Sequence, residues 1–197
     1  YGSRPEQMLH VPMGIDHELF ALRRDLDDRP VDVAVLYSTH PAKGWRSTLQ
    51  ALRRVRERRP GLRVAAFSVP PPEAVLPEWI TFHTDPPRRE LADLVYNRSK
   101  LFVQGSLYEG FGFTPVEAMA CGSALVTTDN GGSRDYALHD ETALVVPVGD
   151  VEAMADAVCS MLDDDGHRRR LALAGNEFVS RFCWDEGAAL LEEHLAR

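Results

Sequence analysis

Short runs of aliphatic and β-branched residues alternate along the chain with segments in which apolar residues recur every three or four positions. The first pattern is typical of buried strands, and the second is typical of helices that bury one face. Strands that alternate with helices in this way form a parallel sheet covered on both faces. The predicted strands are residues 31–37, 62–69, 80–83, 101–104, 124–128 and 143–146.

The helices follow from the same periodicity. An apolar stripe predicts a helix over residues 45–58, and a helix over residues 88–98 is expected to turn Leu91, Leu94 and Val95 inward. Together these elements predict an α/β fold, namely a Rossmann-like doubly wound parallel sheet of about six strands with helices on both faces. Such sheets bind ligands in the loops that follow the strands. The other predicted helices begin near Pro115, after Asp150 as an N-cap, before Leu171, and at Trp184.

Composition narrows the class of protein. The 197 residues amount to about one domain, and no apolar run approaches the ~20 residues of a membrane-spanning helix. The net charge of −8 argues against a nucleic-acid partner, and also against contact between the arginines at 53–59 and an anionic membrane. Three cysteines without metal-like spacing indicate a reducing compartment, so a cytoplasmic location is expected.

The segment after the fourth predicted strand, residues 106–122, has the most informative pattern. It passes through Gly110 and Gly112 and then opens a helix. Unpaired backbone N–H groups at such a helix start favour a phosphate, and glycines allow a ligand to approach the backbone. The segment lacks the third glycine of a dinucleotide-binding motif, and the chain has no Gly-Lys-Ser/Thr phosphate-binding loop. These residues are therefore a candidate ligand contact of a different type.

Local explanations compete with functional ones in this segment. Thr114, Pro115 and Glu117 match a complete capping box, with Thr114 as the N-cap and Pro115 as the first helical residue. Glu109, directly before the glycine loop, fits an ordinary solvated carboxylate. The local pattern alone leaves the structural and the functional interpretation open for both glutamates.

Taken whole, the segment resembles the retaining glycosyltransferases of the family-4 type, the glycosyl transferases group 1. The motif of that family, E-G-F-G-x-x-x-x-E-A-M-A-x-G, is present here from Glu109 to Gly122. The resemblance covers about residues 10–190 and implies the C-terminal, donor-binding half of a GT-B fold. Further parts of the family pattern occur at residues 11–16 with Phe20, 127–132, 144–150 and 182–184.

The resemblance implies a role for each residue of the motif. Glu117 would hold the ribose hydroxyls of a nucleotide-sugar donor, and Glu109 would hold hydroxyls of the transferred sugar as a catalytic residue. Carboxylates suit both tasks because each accepts hydrogen bonds from neighbouring hydroxyls. The residues expected to face the sugar and the diphosphate are Gly110, Phe111, Gly112, Phe113 and Thr114.

The loop after the first predicted strand, residues 38–44, is the second candidate ligand contact. Members of the family usually carry an arginine and a lysine here, five residues apart, that clamp the diphosphate. Lys43 matches the lysine and is expected to act in catalysis, whereas Ser38 occupies the arginine position and cannot provide a cationic fork. His40 is a candidate to complete the clamp. Lys43 is one of only two lysines in the chain.

The resemblance also implies a domain organisation. Residues 1–25 are expected to form a linker that enters the domain, residues 26–183 the nucleotide-sugar-binding domain, and residues 184–197 a C-terminal helix. The N-terminal acceptor domain is expected to be absent from this chain. The nucleobase of the donor is expected near His83, after the third predicted strand.

The implied activity is transfer of a sugar from a UDP-, GDP-, ADP- or dTDP-sugar to an acceptor, with retention at the anomeric carbon. No cofactor and no metal are expected, in keeping with the usual metal independence of the family. The isolated domain is expected to bind the donor without catalysing transfer. A non-catalytic nucleotide-sugar-binding module, which Ser38 favours slightly, and a flavodoxin-like binding domain are the alternative interpretations.

Overall fold

A six-stranded parallel sheet forms the centre of the computed structural model, which describes Leu9, Val11 and residues 13–196. The strands lie in the order β3-β2-β1-β4-β5-β6, so the chain runs outward from β1 and then crosses back to its other side. The carboxyl ends of β1 and β4 therefore flank the topological switch point, where such sheets bind ligands. The strands are β1 (Val31–Leu36), β2 (Val64–Ser68), β3 (Ile80–Thr84), β4 (Ser99–Gln104), β5 (Ala124–Thr128) and β6 (Ala143–Val146).

Helices cover both faces of this sheet, which confirms the predicted fold class. They are α1 (Trp45–Arg58), α2 (Arg88–Glu90, continued as a π-helix over Leu91–Tyr96), α3 (Phe113–Ala120), α4 (Val151–Asp163), α5 (Asp165–Val179) and α6 (Trp184–Leu195). Apolar side chains of α1 and α4 share one buried cluster with Val33 and Val35 of β1. Side chains of the π-helix and α3 share a second cluster with Ala34 on the opposite face of that strand. Burial on both faces explains the nearly continuous apolar runs of the strands.

The predicted strands are all present, with ends that differ from the prediction by at most two residues. The helix over residues 45–58 is confirmed with the same bounds. Of the predicted linker over residues 1–25, residues 1–8, 10 and 12 lie outside the described residues, as does residue 197 of the predicted C-terminal helix. Within the described part of the linker, Ile15 and Phe20 are buried in the second cluster.

The segment predicted as a regular helix over residues 88–98 changes type after its first turn. It continues as a π-helix, in which the Asn97 N–H donates to the Ala92 carbonyl oxygen at 2.9 Å. The wider turn changes which side chains face the sheet. Leu94 is 42% exposed, so its predicted inward position is wrong. The apolar side chains of this helix that pack in the core are Leu91, Ala92, Val95 and Tyr96.

The predicted capping box at the start of α3 is also wrong. The helix begins two residues earlier than predicted, and its N-cap is Gly112 in the left-handed region, at φ 101°, without a side-chain cap. Thr114 and Pro115 are therefore the second and third helical residues. Glycine suits position 112 because a Cβ there would lie 2.7 Å from the Tyr136 hydroxyl oxygen. The Glu117 carboxylate takes no part in the cap and is buried instead.

Two helix starts therefore differ in their sensitivity to mutation. We expect Asp150→Ala to lower the free energy of unfolding by about 1 kcal/mol, because the Asp150 carboxylate accepts a hydrogen bond from the Ala153 N–H at the start of α4. Thr114→Ala should leave the free energy of unfolding nearly unchanged, since Thr114 makes no capping bond. Urea denaturation of both variants measures the difference. Equal losses would restore the capping role of Thr114.

Arginines in the second half of α1 and at its C-cap form ion pairs with acidic residues of α4. The exposed pairs contribute little each to stability, but they neutralise part of the basic surface that a contact with an anionic membrane would use. None of the helices in the described residues is long and apolar enough to cross a membrane. The pairs are Arg54–Glu152, Arg58–Glu152, Arg58–Asp156 and Arg59–Asp163.

Candidate functional site

An ion pair joins the two loops at the switch point of the sheet. Lys43 lies at the end of a short 3-10 turn after β1, and Glu109 lies in the loop after β4. The Lys43 Nζ atom is 2.9 Å from Glu109 Oε1 and 2.8 Å from Oε2. The Glu109 side chain is 8% exposed and that of Lys43 is 36% exposed. The structure thus brings together the two residues that the sequence predicts to be catalytic.

Glu109 is held by more than its lysine. The Ser106 hydroxyl donates to Oε1 at 2.8 Å, and the Gln104 side-chain amide donates to the same oxygen at 3.2 Å. The Glu109 backbone N–H donates to the Asn130 carbonyl oxygen at 3.0 Å, which ties the loop to the end of β5. Among the described residues only Lys43 donates to Oε2. That oxygen retains the capacity to accept a hydroxyl from a ligand.

The loop after β1 is shaped by its own polar side chains. The His40 N–H donates to Ser38 Oγ at 3.2 Å, and His40 Nδ1 accepts from the Ala42 N–H at 3.2 Å. Because Nδ1 accepts a hydrogen bond from the backbone, a neutral His40 carries its proton on Nε2. Gly44 then adopts a left-handed conformation where a Cβ would lie 1.8 Å from the Gly105 carbonyl oxygen, so the two loops meet backbone to backbone.

Glu117 of α3 is the second buried carboxylate near this edge of the sheet. Its Oε1 lies 3.2 Å from an Arg88 guanidinium nitrogen, and its Oε2 accepts from the Tyr96 hydroxyl at 3.2 Å. Burial raises the pKa of Glu117 to about 7, against the opposing effects of Arg88 and of the Tyr96 hydrogen bond. Arg88 is 65% exposed, so solvent screens its charge and burial prevails. The guanidinium also lies over the Phe20 ring, 5.1 Å from its centroid.

Aromatic packing anchors the glycine loop between the two glutamates. The Phe111 ring makes edge contacts with Phe113, Tyr136 and Phe182 at centroid distances of 5.4–5.6 Å. The Tyr136 hydroxyl donates to the Phe111 carbonyl oxygen at 3.0 Å. A Cβ on Gly110 would meet open space, so the backbone is unobstructed there. The loop is thus anchored by the packing of Phe111, while its backbone at Gly110 remains accessible to a ligand.

Some of the predicted site residues line three different cavities. Lys43 and Thr114 line one narrow cleft. Ser38 and His40 line a neighbouring hollow of about 740 Å³. His83 lies apart, in a hollow of about 580 Å³ that includes the start of β1 and Arg98. Burial, together with the Arg98 charge, lowers the pKa of His83.

Some residues of the site carried no functional signal in the sequence. Gln104 ends β4 after the apolar run Leu101–Val103, and Asn130 lies two residues beyond β5 in a glycine-containing turn. Arg88, at the start of α2, and Tyr96, at the end of the π-helix, become relevant only because the tertiary structure places both against Glu117. A polar residue that ends a buried strand at the switch point is the one signal that would have drawn attention to Gln104. The described residues contain no group of three or more side chains able to hold a metal ion.

Known proteins resemble this chain in sequence and in fold. The family model for glycosyl transferases group 1 matches residues 74–178, just over half of the chain. A D-inositol 3-phosphate glycosyltransferase of Kribbella flavida is 29% identical over 94% of this chain and 50% of its own length. The chain thus spans about half the length of this curated relative.

Two solved structures share the fold. Anabaena HepE, determined in complex with UDP and glucose, superimposes with a TM-score of 0.83 at 19% identity, over 99% of this chain and 58% of HepE. The C-terminal domain of a glycosyl transferase group 1 family protein, LpcC of Francisella tularensis, superimposes with a TM-score of 0.74 at 19% identity, over 87% of this chain and 100% of that domain.

The sequence match and the shared architecture favour the glycosyltransferase interpretation over the flavodoxin-like alternative. The longer motif from Glu109 to Gly122, which contains both glutamates, falls within the matched residues. This chain belongs to the family of glycosyl transferases group 1.

Proposed function

We propose that this chain is the nucleotide-sugar-binding domain of a retaining glycosyltransferase of the family-4 type. The observation that carries the proposal is the Lys43–Glu109 pair at the switch point, where an ammonium group and an accepting carboxylate meet beside a helix start. The ammonium group suits a diphosphate, and the free capacity of Glu109 Oε2 suits a sugar hydroxyl. The N-terminus of α3 adds partial positive charge next to them.

The proposed reaction is transfer of the sugar with retention at the anomeric carbon and without a metal ion. The leaving diphosphate gains negative charge as its bond to the sugar breaks, and Lys43 stabilises that charge. Glu109 positions the sugar through its hydroxyls. In the proposed front-side route, the departing phosphate oxygen accepts the proton of the acceptor hydroxyl, so the chain needs no separate base.

The proposed function also assigns roles outside the Lys43–Glu109 pair. An N-terminal GT-B domain supplies the acceptor site, so this chain by itself binds the donor without transferring the sugar. Residues 1–25 connect the two domains, and residues 184–197 form the C-terminal helix. His40 supports the phosphates through Nε2, and the nucleobase lies on the His83 side. A cytoplasmic location is supported by the three free thiols.

Calorimetric titration of the chain with UDP, GDP, ADP and dTDP, each in parallel, tests the proposal. Selective binding of one diphosphate identifies the base. For this domain without its partner domain, the expected dissociation constant of the nucleoside diphosphate is about 0.1–1 mM. Failure of all four nucleotides to bind at several millimolar, both with this chain and with the full-length protein, would overturn the proposal.

Glu109→Gln tests whether the Glu109 carboxylate contacts the donor sugar or only supports the loop structure. We expect it to weaken binding of the nucleotide sugar about tenfold, while the matching nucleoside diphosphate binds within about twofold of the wild type. The sugar loses its charged acceptor, whereas the diphosphate gains a lysine released from its ion pair. In the full-length enzyme, transfer should fall far more than nucleotide binding.

Glu57→Gln, on the exposed side of α1, is the matched control and should change neither affinity. Parallel losses for the nucleotide and the nucleotide sugar in Glu109→Gln would contradict the assignment of Glu109 to the sugar. If the full-length wild type binds the sugar nucleotide but transfers no sugar, the non-catalytic binding module is favoured instead.

A further inference from the structure

A buried row of polar side chains runs from the end of β5 to Glu109. From it we infer that Gln104 is a positioning residue, which fixes the Glu109 carboxylate so that Oε2 faces the donor sugar. The row consists of Asn130, Thr127 and Gln104, which are 3%, 0% and 7% exposed. The inference rests on the proposed function, in which Glu109 holds the sugar, and it adds the residues that orient Glu109.

The backbone N–H group of Ser133 determines which side-chain groups along this row donate and which accept hydrogen bonds. The Ser133 N–H donates to the Asn130 side-chain oxygen at 3.0 Å. Since a backbone N–H can only donate, the oxygen of the Asn130 amide must lie there, and its NH2 group points the other way. That group lies 3.3 Å from Thr127 Oγ1 and 3.5 Å from Gln104 Oε1.

The orientation of Asn130 determines that of Gln104. Gln104 Oε1 accepts from the Thr127 hydroxyl at 3.2 Å and faces the Asn130 NH2 group. The Gln104 NH2 group must therefore point toward Glu109 Oε1, where it donates at 3.2 Å. A reversed amide would place its oxygen against the carboxylate and its NH2 group against another donor, which costs two hydrogen bonds in a buried site.

Glu109 consequently has two unlike oxygens. Oε1 accepts from Gln104, Ser106 and Lys43, whereas Oε2 accepts from Lys43 alone among the described residues. When a diphosphate engages Lys43, the bonds from Gln104 and Ser106 are those that still hold the carboxylate. The influence of Gln104 is thus greatest in the complex with the donor, and it acts on the sugar rather than on the nucleotide.

Gln104→Met tests the inference, because it keeps the length of the side chain and removes both polar ends. We expect it to weaken binding of the sugar nucleotide of the selected base (UDP-glucose, GDP-mannose, ADP-glucose or dTDP-glucose) about five- to tenfold. Binding of the matching nucleoside diphosphate should change by less than about twofold. Asn130→Asp, which keeps the acceptor for Ser133 and loses the donor to Gln104, should reproduce the direction of this effect.

Asp150→Ala is the control for lost stability, since the Asp150 carboxylate caps α4 through the Ala153 N–H and takes no part in the row, so the variant should alter neither affinity. Equal weakening of nucleotide and nucleotide-sugar binding in Gln104→Met would overturn the positioning role. Unchanged affinities for both would also overturn it.

A second measurement needs no ligand and separates failure of this inference from failure of the proposed function. The 15N side-chain resonance of Gln104, identified by its loss in Gln104→Met, should shift in Glu109→Gln and in Asn130→Asp but not in Asp150→Ala. A resonance that stays in place in both of the first two variants would refute the row of hydrogen bonds. If the two variants show the shifts but the wild type binds no nucleotide, the proposed function fails and the role of Gln104 toward the sugar fails with it.

Discussion

Replacement of Lys43 by alanine is expected to weaken binding of a nucleoside diphosphate about 10- to 100-fold, with little change in binding of the nucleoside itself. Lys43 is the cation that faces the Glu109 carboxylate at the switch point. Without it, a diphosphate would lose a charge-assisted hydrogen bond and would meet the uncompensated negative charge of Glu109. The Ser38 side chain cannot replace that charge. Calorimetry with the diphosphate and the nucleoside of the selected base measures both effects.

The chain provides a matched control for this variant in its second lysine. Lys100 pairs with Asp32 at 2.9 Å, near the amino ends of β4 and β1, so it lies at the opposite edge of the same two strands. Lys100→Ala removes the same charge from the chain and should leave diphosphate affinity unchanged. A similar loss in both lysine variants, or an equal loss of nucleoside and diphosphate in Lys43→Ala, would rule out a phosphate clamp at Lys43.

The double variant Lys43→Ala/Glu109→Gln measures how much of the loss of affinity comes from repulsion between the Glu109 carboxylate and the diphosphate. It removes the lysine together with the carboxylate that would repel the phosphates. Diphosphate binding should therefore recover in part relative to Lys43→Ala. Absence of any recovery would mean that Glu109 does not face the diphosphate.

The second large effect that we expect is a pH dependence of the free energy of unfolding, caused by the buried Glu117 carboxyl group. Its pKa rises from an ordinary value of 4.5 to about 7 in the folded chain, so the native state binds the proton more tightly than the unfolded state does. The contribution of this group to stability is therefore fully present below about pH 4.5 and is lost as the pH rises to about 7. The loss amounts to on the order of 3 kcal/mol. Urea denaturation of the wild type and Glu117→Gln from pH 4 to pH 8 measures it by difference.

Nucleotide binding should show the opposite trend. If ribose hydroxyls donate to Glu117, they favour its ionised form, so diphosphate affinity should increase as the pH rises through about 7. Glu117→Gln should bind more weakly, without this pH dependence, and should be the more stable protein above pH 7. Comparison with the variant removes the contributions of His83 and of the phosphates, which titrate in both proteins. Parallel pH profiles for wild type and variant would show that Glu117 does not contact the nucleotide.

Local patterns along the sequence were sufficient for most of the fold. Each buried strand is an apolar run bounded by turns, and α1 and α4 carry regular apolar stripes, so their positions depend on neighbours within one or two turns. Asp150 could be identified as a cap because its partner, Ala153, lies three residues away. Lys43 and Glu109 could be named separately, since each stands in a loop directly after a strand of a predicted parallel sheet.

The errors arose where distant residues decided the local conformation. The Tyr136 hydroxyl donates to the Phe111 carbonyl oxygen and leaves no room for a Cβ at Gly112, where α3 is capped without a side chain, so Thr114 has no capping role. The π-helix places Tyr96 rather than Leu94 in the core. A regular helical period and a matching capping box are local preferences of about 1 kcal/mol, and tertiary packing outweighs them.

The sequence by itself determined the order of strands and helices along the chain, the edge of the sheet at which ligand binding is predicted, and the residues that follow β1 and β4 there. Only the tertiary structure decided that Lys43 pairs with Glu109, that Glu117 meets Arg88 and Tyr96, and that a row of amides reaches Glu109 from β5. The physical reason is distance along the chain. Periodicity reports neighbours within a few residues. The bonds of Lys43 to Glu109, of Glu117 to its two partners, and of Thr127 to Gln104 join residues 21 to 66 positions apart, which only the crossover connections of the sheet bring together.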